Sequence, residues 1–481
     1  MLFTDPIFLF LFLPLVLGIY FISPKGMRNL VLVCASLAFY AFGERFYVCL
    51  LLLSVFLNYF GGLALAGSQA PKRRLIFTAA VAGNLLLLAV FKYTSFIISN
   101  LSAIMGPLVS IRFAVPTVHL PIGISFFTFM GISYLADIYR RQLKAQRSLT
   151  NFALYLTLFP HLIAGPIVRY GDIAREIIVR RITLPEFTEG ITRFSVGFGK
   201  KMIIANTLAL TADGVFLLGR DQLTPAVAWL GALCYTLQIY YDFSGYSDMA
   251  IGLARLFGFH FPENFNYPYV SSSITEFWKR WHMSLSTWLR DYLFFPLGIR
   301  LPAWRVYVNV MIVFFLCGLW HGASWSFVFW GLYQGAFLVW ERAGGLKFLE
   351  RVGSSLRHSY AMLVIFVGWV FFRALNITSA FIYLRAMFGG SQVTNPALRL
   401  GYYLNPALML VLVLGVIGCT PVVPLVNKWH ERLVEGLSGY AGTVVDSTGR
   451  LIRLAAVVIV FVSSAAMSAA GTYSPFIYFR F

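Results

Sequence analysis

One histidine of this 481-residue chain occupies a place where ionisable side chains are rare. His321 stands in the run Leu319-Trp320-His321-Gly322, between two strongly apolar blocks. If a helix begins at Val306, His321 lies about 22 Å along it, at about 1.5 Å of rise per residue, and therefore deep in a membrane. An ionisable residue at that depth is costly, so His321 is a candidate functional residue. The alternative is a structural histidine that hydrogen-bonds a neighbouring helix.

Proton transfer is the chemistry that such a histidine suits best. A neutral imidazole near pH 7 can accept a proton from a hydroxyl group. A neutral base also avoids burying a charge in the resting state of the protein. We therefore expect His321 to act as a general base.

A second histidine, His282, borders the apolar stripe of segment 274–292, where apolar residues recur at helical spacing. We expect one amphipathic helix there, lying at the membrane surface on the basic side, with Trp278, Trp281 and Trp288 partly inserted. The alternative for His282 is a histidine in an interfacial aromatic belt. His282 and His321 lack the spacing of a zinc motif and the five cysteines are scattered, so we predict no metal site.

Other polar side chains interrupt apolar blocks. Asp242 and Ser244 precede Gly245, which is expected to break the helix, and Asp242 is a candidate buried carboxylate. The alternative is that the serines and carboxylates of this run cap the broken helix. His161 follows a proline in another broken block and is a candidate for lining a cavity.

Composition indicates a chain that folds in a bilayer as one all-α integral membrane unit, residues 1–481. Hydrophobic residues make up 59% and charged residues 12%, whereas soluble domains carry roughly 25% charged residues. Polar stretches at 171–190, 342–358 and 427–452 are only loop-sized. The apolar blocks predict about 11 to 13 crossings. The candidate spans are 7–22, 29–43, 47–66, 76–98, 120–139, 202–218, 223–242, 306–320, 325–341, 360–374, 403–426 and 454–471.

The net charge of +19 is mainly a topology signal and does not indicate nucleic-acid binding. Nine Lys and Arg residues lie in the loops 23–28, 67–75 and 140–148, and the alternating loops 44–46 and 99–119 hold only Arg45 and Arg112. This asymmetry predicts that the N-terminus lies outside the cytosol. Segment 149–168, with basic residues on both flanks and Pro160 inside, is predicted to be re-entrant.

Four runs, in this order, resemble the motifs of the membrane-bound O-acyltransferase family. They are Pro160–Ile167, Tyr241–Tyr246, Phe277–His282 and Leu319–Gly322. The N-terminal run Phe8–Pro14 resembles the bacterial alginate O-acetyltransferase branch in particular. The motif-bearing core extends over about residues 120–341.

The resemblance implies a ring of tilted helices around a thin centre, with a tunnel that joins the two sides. His321 matches the family's catalytic histidine and His282 its second active-site polar residue. We hypothesise that His321 deprotonates an acceptor hydroxyl or stabilises the acyl group in transit, and that His282 orients the thioester or the second substrate. Asp242 would support an imidazole through a hydrogen bond. Supporting or tunnel positions are Ser244, Trp320, Trp281 and His161.

The resemblance also implies a reaction and its participants. Such proteins take acetyl groups from a cytosolic donor, expected to be acetyl-CoA as a substrate with no bound cofactor. They pass the group across the bacterial inner membrane to a periplasmic or cell-surface acetyltransferase partner, which esterifies a polysaccharide. The expected partners are thus that protein, the donor and membrane lipid.

Three other interpretations stay open on the sequence. A flippase or polysaccharide exporter would share the many spans and broken helices, although no internal repeat is evident. Transfer of D-alanine to teichoic acid lies within the same family. A structural scaffold of an exopolysaccharide complex would make His321 dispensable.

Overall fold

The computed structural model describes residues 1–109, 115–116, 118–298, 302–390 and 399–471, and Arg112 lies outside them. Every regular element in these ranges is helical, which confirms the predicted all-α class. The N-terminal part contains α1 (Leu13–Ile22), α2 (Arg28–Glu44), α3 (Val48–Ala66), α4 (Lys72–Lys92), α5 (Thr94–Val109) and α6 (Ile124–Tyr139). The next part contains α7 (Leu149–Thr157), α8 (Phe159–Leu162), α9 (Tyr170–Ile178), α10 (Leu184–Gly199), α11 (Asn206–Phe216) and α12 (Pro225–Leu256).

The remaining helices build the second half of the molecule. They are α13 (Ile274–Arg280), α14 (Met283–Leu289), α15 (Ala303–His321), α16 (Trp325–Trp340), α17 (Leu346–Glu350), α18 (Ser354–Arg373), α19 (Ile377–Met387), α20 (Leu400–Tyr403), α21 (Pro406–Gly418), α22 (Val422–Glu435) and α23 (Tyr440–Ala469). The polar stretches expected to be loops are therefore largely helical, in α9 and α10, α17 and α18, and α22 and α23.

Five helical segments are long and apolar enough to cross a membrane: Lys25–Ala66, Lys72–Lys92, Ala303–His321, Ser354–Arg373 and Tyr440–Ala469. The pair α21 and α22, bent by 66°, would make a sixth. The chain is thus a multi-pass membrane protein. This number is lower than the predicted count of about 11 to 13 crossings, because several apolar blocks form helices shorter than a full span, such as Ile124–Tyr139.

Helix α12 passes through Gly245 without a break, so the predicted interruption there is wrong. The glycine serves close packing instead. A Cβ on Gly245 would lie 2.8 Å from the carbonyl oxygen of Gly197 on α10, and a Cβ on Gly197 would lie 2.5 Å from the carbonyl oxygen of Gly245. Small residues at such positions let two helix backbones approach each other. Ser244 and Asp242 consequently lie in the middle of a helix and cap no helix end.

The segment predicted to be re-entrant is broken and buried in protein. Helix α7 ends at Thr157, because the ψ of 114° at Leu158 is not helical, and α8 begins at Phe159. Residues 152–168 are all buried. Ser36 Oγ accepts a hydrogen bond from the Phe159 backbone N–H at 3.0 Å, so part of the interrupted backbone is satisfied by a side chain. The position of this segment relative to the membrane stays a prediction.

The prediction of one interfacial amphipathic helix over 274–292 is wrong in two respects, and the first matters for the site. The chain breaks between α13 and α14 at His282, which adopts left-handed angles of φ 42° and ψ 54°. Trp278, Trp281 and Trp288 are only 9%, 4% and 6% exposed. These side chains therefore belong to the protein core, and the segment is not an interfacial helix, because its apolar stripe packs on other helices.

Candidate active site

His321 is the last residue of α15, which ends where Gly322 turns to extended angles of φ −163° and ψ 144°. The histidine is 5% exposed. Three aromatic rings surround its imidazole, with centroids at 4.9 Å for Trp320, 5.1 Å for Trp330 and 5.2 Å for Phe372. The Trp330 and Phe372 rings meet it edge to face. Packing on several sides fixes the orientation of this side chain.

The C-terminal end of α4 holds the end of α15. Lys92 Nζ donates to the backbone carbonyl oxygens of Trp320 and, at 3.4 Å, of His321, and Tyr93 Oη donates to that of Leu319 at 2.9 Å. The last carbonyls of a helix have no partner within the helix, and a cation near them is favourable. Sequence reasoning missed Lys92, although a lysine within the apolar block 76–98 was a signal that could have found it.

His282 is fully buried and lies near His321. The indole of Trp320 neighbours both imidazoles, with ring centroids 4.9 Å from that of His321 and 6.2 Å from that of His282. Phe243 meets His282 edge to face at 4.6 Å. The structure thus brings the motifs around His282 and His321 together, as the predicted active site requires.

A cavity of about 350 Å³ opens on His321, and we call it the His321 cavity. Its walls come from the ends of α4 and α15 and from the segment that leads into α6. The lining side chains include Lys92, His119, Ser125, Trp320 and His321. His119, on the rim, lies 3.0 Å from the buried carboxylate of Glu44.

A second cavity of about 500 Å³ lies between α14, α15 and α16, and we call it the cationic cavity. Its lining contains Lys279, Arg290 and Arg342 and no carboxylate among the residues that form it. Met283, next to His282, and Cys317, one helical turn before His321, form part of its wall. This cavity therefore approaches both histidines from another direction.

Helix α6 shows that the outer ends of these two cavities lie apart, although both cavities reach α15 within one turn of His321. Ile124 and Ser125 in its first turn line the His321 cavity. In its last turn, the Asp137 carboxylate accepts hydrogen bonds of 2.9 Å from Tyr292 Oη, close to Arg290 of the cationic cavity. Asp137 follows Ser125 by 12 residues on this helix, a distance of about 18 Å along its axis. The histidines thus lie between cavities near opposite ends of α6.

A third cavity of about 740 Å³, the Asn264 cavity, is lined by Ser244, Ser247, Asn264 and Met283 together with the ion-paired residues Arg193, Lys200 and Asp248. Ser244 therefore lines a cavity, although not the one that contains His321. A very small cavity of about 10 Å³ contacts His321 on its other side, and Trp281 is among its lining residues.

Asp242 does not occupy the place predicted for it. Its carboxylate pairs with Lys201 Nζ at 2.6 Å, and the two side chains are only 1% and 4% exposed. The group that hydrogen-bonds His282 is the amide of Asn264, at 3.0 Å from Nδ1. Sequence reasoning missed Asn264 because a single asparagine in the polar run Glu263-Asn264-Phe265 carries no signal of its own.

The Asp242–Lys201 pair gives a testable expectation for stability. We expect Asp242→Asn to destabilise the fold by about 3–5 kcal/mol, since it leaves Lys201 as an uncompensated buried charge. The double variant Asp242→Leu/Lys201→Met should recover most of this loss. Thermal unfolding of the purified protein in detergent measures the loss and its recovery. The control is Asp446→Asn, which breaks an exposed pair with Arg450 and should leave stability unchanged. A double variant as unstable as Asp242→Asn would contradict the expectation.

His161 lines none of these cavities. It is fully buried, and its Nε2 lies 2.9 Å from the backbone carbonyl oxygen of Tyr155. Its ring packs against Phe261 at 4.9 Å. The imidazole thus pairs with a carbonyl group that the break after α7 leaves without a helical partner, and a cavity-lining role for His161 stays a prediction.

Fold and site together define a class of protein. It is an all-α membrane protein in which two buried histidines lie between separate cavities, an arrangement suited to moving a group between two substrates. The chain belongs to the membrane-bound O-acyltransferase family, whose model MBOAT matches residues 139–383. It is therefore a membrane-bound O-acyltransferase, and its reaction requires an acyl donor.

Known proteins similar to this chain agree with the family assignment. It is 42% identical to "Probable alginate O-acetylase AlgI" of Azotobacter vinelandii, over 100% of both chains. It is 37% identical to "Peptidoglycan O-acetyltransferase" of Helicobacter pylori, over 82% of this chain and 81% of the other. It is 32% identical to "Teichoic acid D-alanyltransferase" of Bacillus subtilis, over only 45% of this chain and 58% of the other.

Proposed function

We propose that this protein moves acetyl groups from a cytosolic donor across the bacterial inner membrane for O-acetylation of a polysaccharide outside the cytosol. The observation that carries the proposal is the position of His321 and His282 between the His321 cavity and the cationic cavity. Similarity to O-acetylases named for alginate and for peptidoglycan supports a polysaccharide acceptor.

The cationic cavity is the proposed entrance for the donor. It is linked to the predicted cytosolic loop 140–148, since Arg140 stacks on Tyr292 at 5.2 Å, next to Arg290 and Asp291. Lys279 and Arg342 would attract the phosphates of acetyl-CoA, a polyanion, because unlike charges steer association. Arg290 adds less, since its guanidinium pairs with Asp291 at 2.7 Å. The apolar walls of the cavity suit the uncharged arm that carries the thioester.

The His321 cavity is the proposed entrance for the acceptor, at the predicted outer face, where the N-terminus also lies. A hydroxyl group of the acceptor attacks the thioester carbonyl, and His321 accepts its proton. The tetrahedral intermediate then releases the coenzyme A sulfur, which takes up that proton, and an oxygen ester remains. His282 would accept a hydrogen bond from a donor group of one of the two substrates and so orient that substrate.

A partner protein outside the membrane is proposed to carry the acetyl group to the polymer. A partner with an accessible hydroxyl could receive the acetyl group at the His321 cavity and deliver it, as the resemblance implies.

The test uses a host in which the gene is deleted and then restored. Base-labile acetate on the exported polysaccharide should be lost on deletion and return when the wild-type chain is restored. When the cells are supplied with an isotope-labelled source of acetyl groups, this acetate should carry the label. The amount of exported polymer should not change. Equal acetate content with and without the chain would overturn the proposal, and loss of export would favour a transporter.

Transfer of D-alanine is the second candidate. It is favoured by the similarity to a teichoic acid D-alanyltransferase, which covers 45% of this chain. The same host separates the two candidates if ester-linked D-alanine is measured beside acetate. We expect acetate alone to depend on the chain.

A further inference from the structure

Asn264 lies at a junction of three parts of the chain. Its side-chain Oδ1 lies 3.0 Å from His282 Nδ1 and accepts hydrogen bonds from the Ser284 backbone N–H at 3.3 Å and from Ser284 Oγ at 2.9 Å. Its Nδ2 donates to Ser247 Oγ on α12 at 3.0 Å. Asn264 is only 1% exposed. One amide thus connects His282, the start of α14 and the long helix α12.

The orientation of this amide follows from its partners. The backbone N–H of Ser284 can only donate, so the atom that faces it must be the oxygen of Asn264. Ser284 Oγ accepts a hydrogen bond from the Ile167 backbone N–H at 2.9 Å, which leaves its own proton for the same oxygen. The amide oxygen is therefore fixed by contacts that do not involve His282.

The tautomer of His282 follows in turn. An oxygen acceptor at 3.0 Å requires that Nδ1 carry the proton. In a neutral imidazole the lone pair then resides on Nε2. That nitrogen is fully buried and has no hydrogen-bond partner among the residues that the structure describes. Since buried polar atoms are nearly always paired, an unpaired one next to His321 indicates a place for a substrate group.

Asn264 also stabilises the unusual backbone of His282. Its carbonyl oxygen accepts a hydrogen bond of 2.9 Å from the Met283 N–H, directly after the left-handed residue. Left-handed angles are unfavourable for a histidine and persist only where the surroundings enforce them. Two consecutive backbone N–H groups, those of Met283 and Ser284, are thus held by one asparagine.

We infer that Asn264 is a positioning residue, which holds His282 as the Nδ1–H tautomer and leaves its Nε2 lone pair available to a substrate donor. The inference rests on the proposed active site, but not on the identity of the acyl group. It predicts that Asn264 acts on transfer through His282 and through no separate contact with the substrate.

The experiment measures total base-labile acyl ester, as acetate and as D-alanine, on exported polymer at matched membrane abundance. We expect Asn264→Leu, which has no acceptor oxygen, to lower the ester content about 10- to 100-fold, as loss of an orienting partner does elsewhere. Asn264→Asp keeps the acceptor oxygen and should restore most of the activity. In a His282→Gly background, Asn264→Leu should cause no further loss.

Two results would overturn the inference. One is an additional loss from Asn264→Leu in the His282→Gly background, which would mean an independent role. The other is an Asn264→Asp variant as inactive as Asn264→Leu although it is equally abundant in the membrane. The identity of the ester in the wild type tests the proposed function separately, so the two failures are distinguishable.

Discussion

His321→Ala is expected to abolish nearly all acyl transfer, with a loss of about 10²- to 10⁴-fold, the range that general acid–base catalysis contributes. The imidazole is enclosed by Trp320, Trp330 and Phe372, and none of these three rings can accept a proton in its place. The measurement is base-labile acetate on the exported polysaccharide, normalised to membrane abundance. Polymer export should continue, because the variant removes proton transfer and not a transport path.

The control for this variant is His430→Ala. His430 lies on α22 and contacts the backbone oxygen of Val445 at 3.4 Å, away from the three cavities. The His430→Ala variant should transfer acetyl groups as well as the wild-type protein does. His321→Gln fills a similar volume and keeps a polar group, yet it lacks a base of suitable pKa and should be as inactive as His321→Ala. Full transfer by His321→Gln would make the base role wrong.

His282→Gly is expected to lower transfer about 100-fold while the protein folds normally. Glycine adopts left-handed angles without a steric penalty, so the turn between α13 and α14 is retained and only the imidazole is lost. The loss should appear in the rate of ester formation. Thermal unfolding in detergent should change by only a few degrees, because relief of the left-handed strain partly offsets the cavity that the imidazole leaves.

Arg141→Gly is the matched control for His282→Gly. Arg141 also has a positive φ, of 63°, but its side chain is exposed and lines none of the three cavities. The same backbone change there should leave transfer intact. Comparable activity of His282→Gly and Arg141→Gly would mean that His282 serves only as a turn residue.

Much of the site could be predicted because it contains ionisable side chains within apolar blocks, where such side chains are rare. A histidine such as His321 within an apolar block is costly in any membrane fold, so its position alone indicates function. Long apolar blocks likewise predict helices whatever their partners, since backbone groups in lipid must be satisfied internally. These properties are local, and they carried the all-α class, most helix positions and the two histidines.

The wrong predictions arose where the residue pattern of a single segment was interpreted without the helices that pack against it. Segment 274–292 has helical spacing, but its tryptophans are buried against other helices and its backbone turns at His282, where Asn264 supplies partners for two N–H groups. Gly245 suggested a break, whereas its place opposite Gly197 on α10 requires a residue without a side chain. Neither reason is visible within one segment.

Several charged and amide side chains pair with residues that are far from them in the sequence. Asp242 pairs with Lys201, Lys92 holds the end of α15, and Asn264 sets the orientation of His282. Each contact depends on how helices distant in sequence pack together, and hydrogen bonds and ion pairs need a particular distance that no residue type specifies. The sequence alone thus singled out His321 and His282 as candidate site residues, whereas the tautomer of His282, the supports of both side chains and the cavities that reach them came from the packing of the helices.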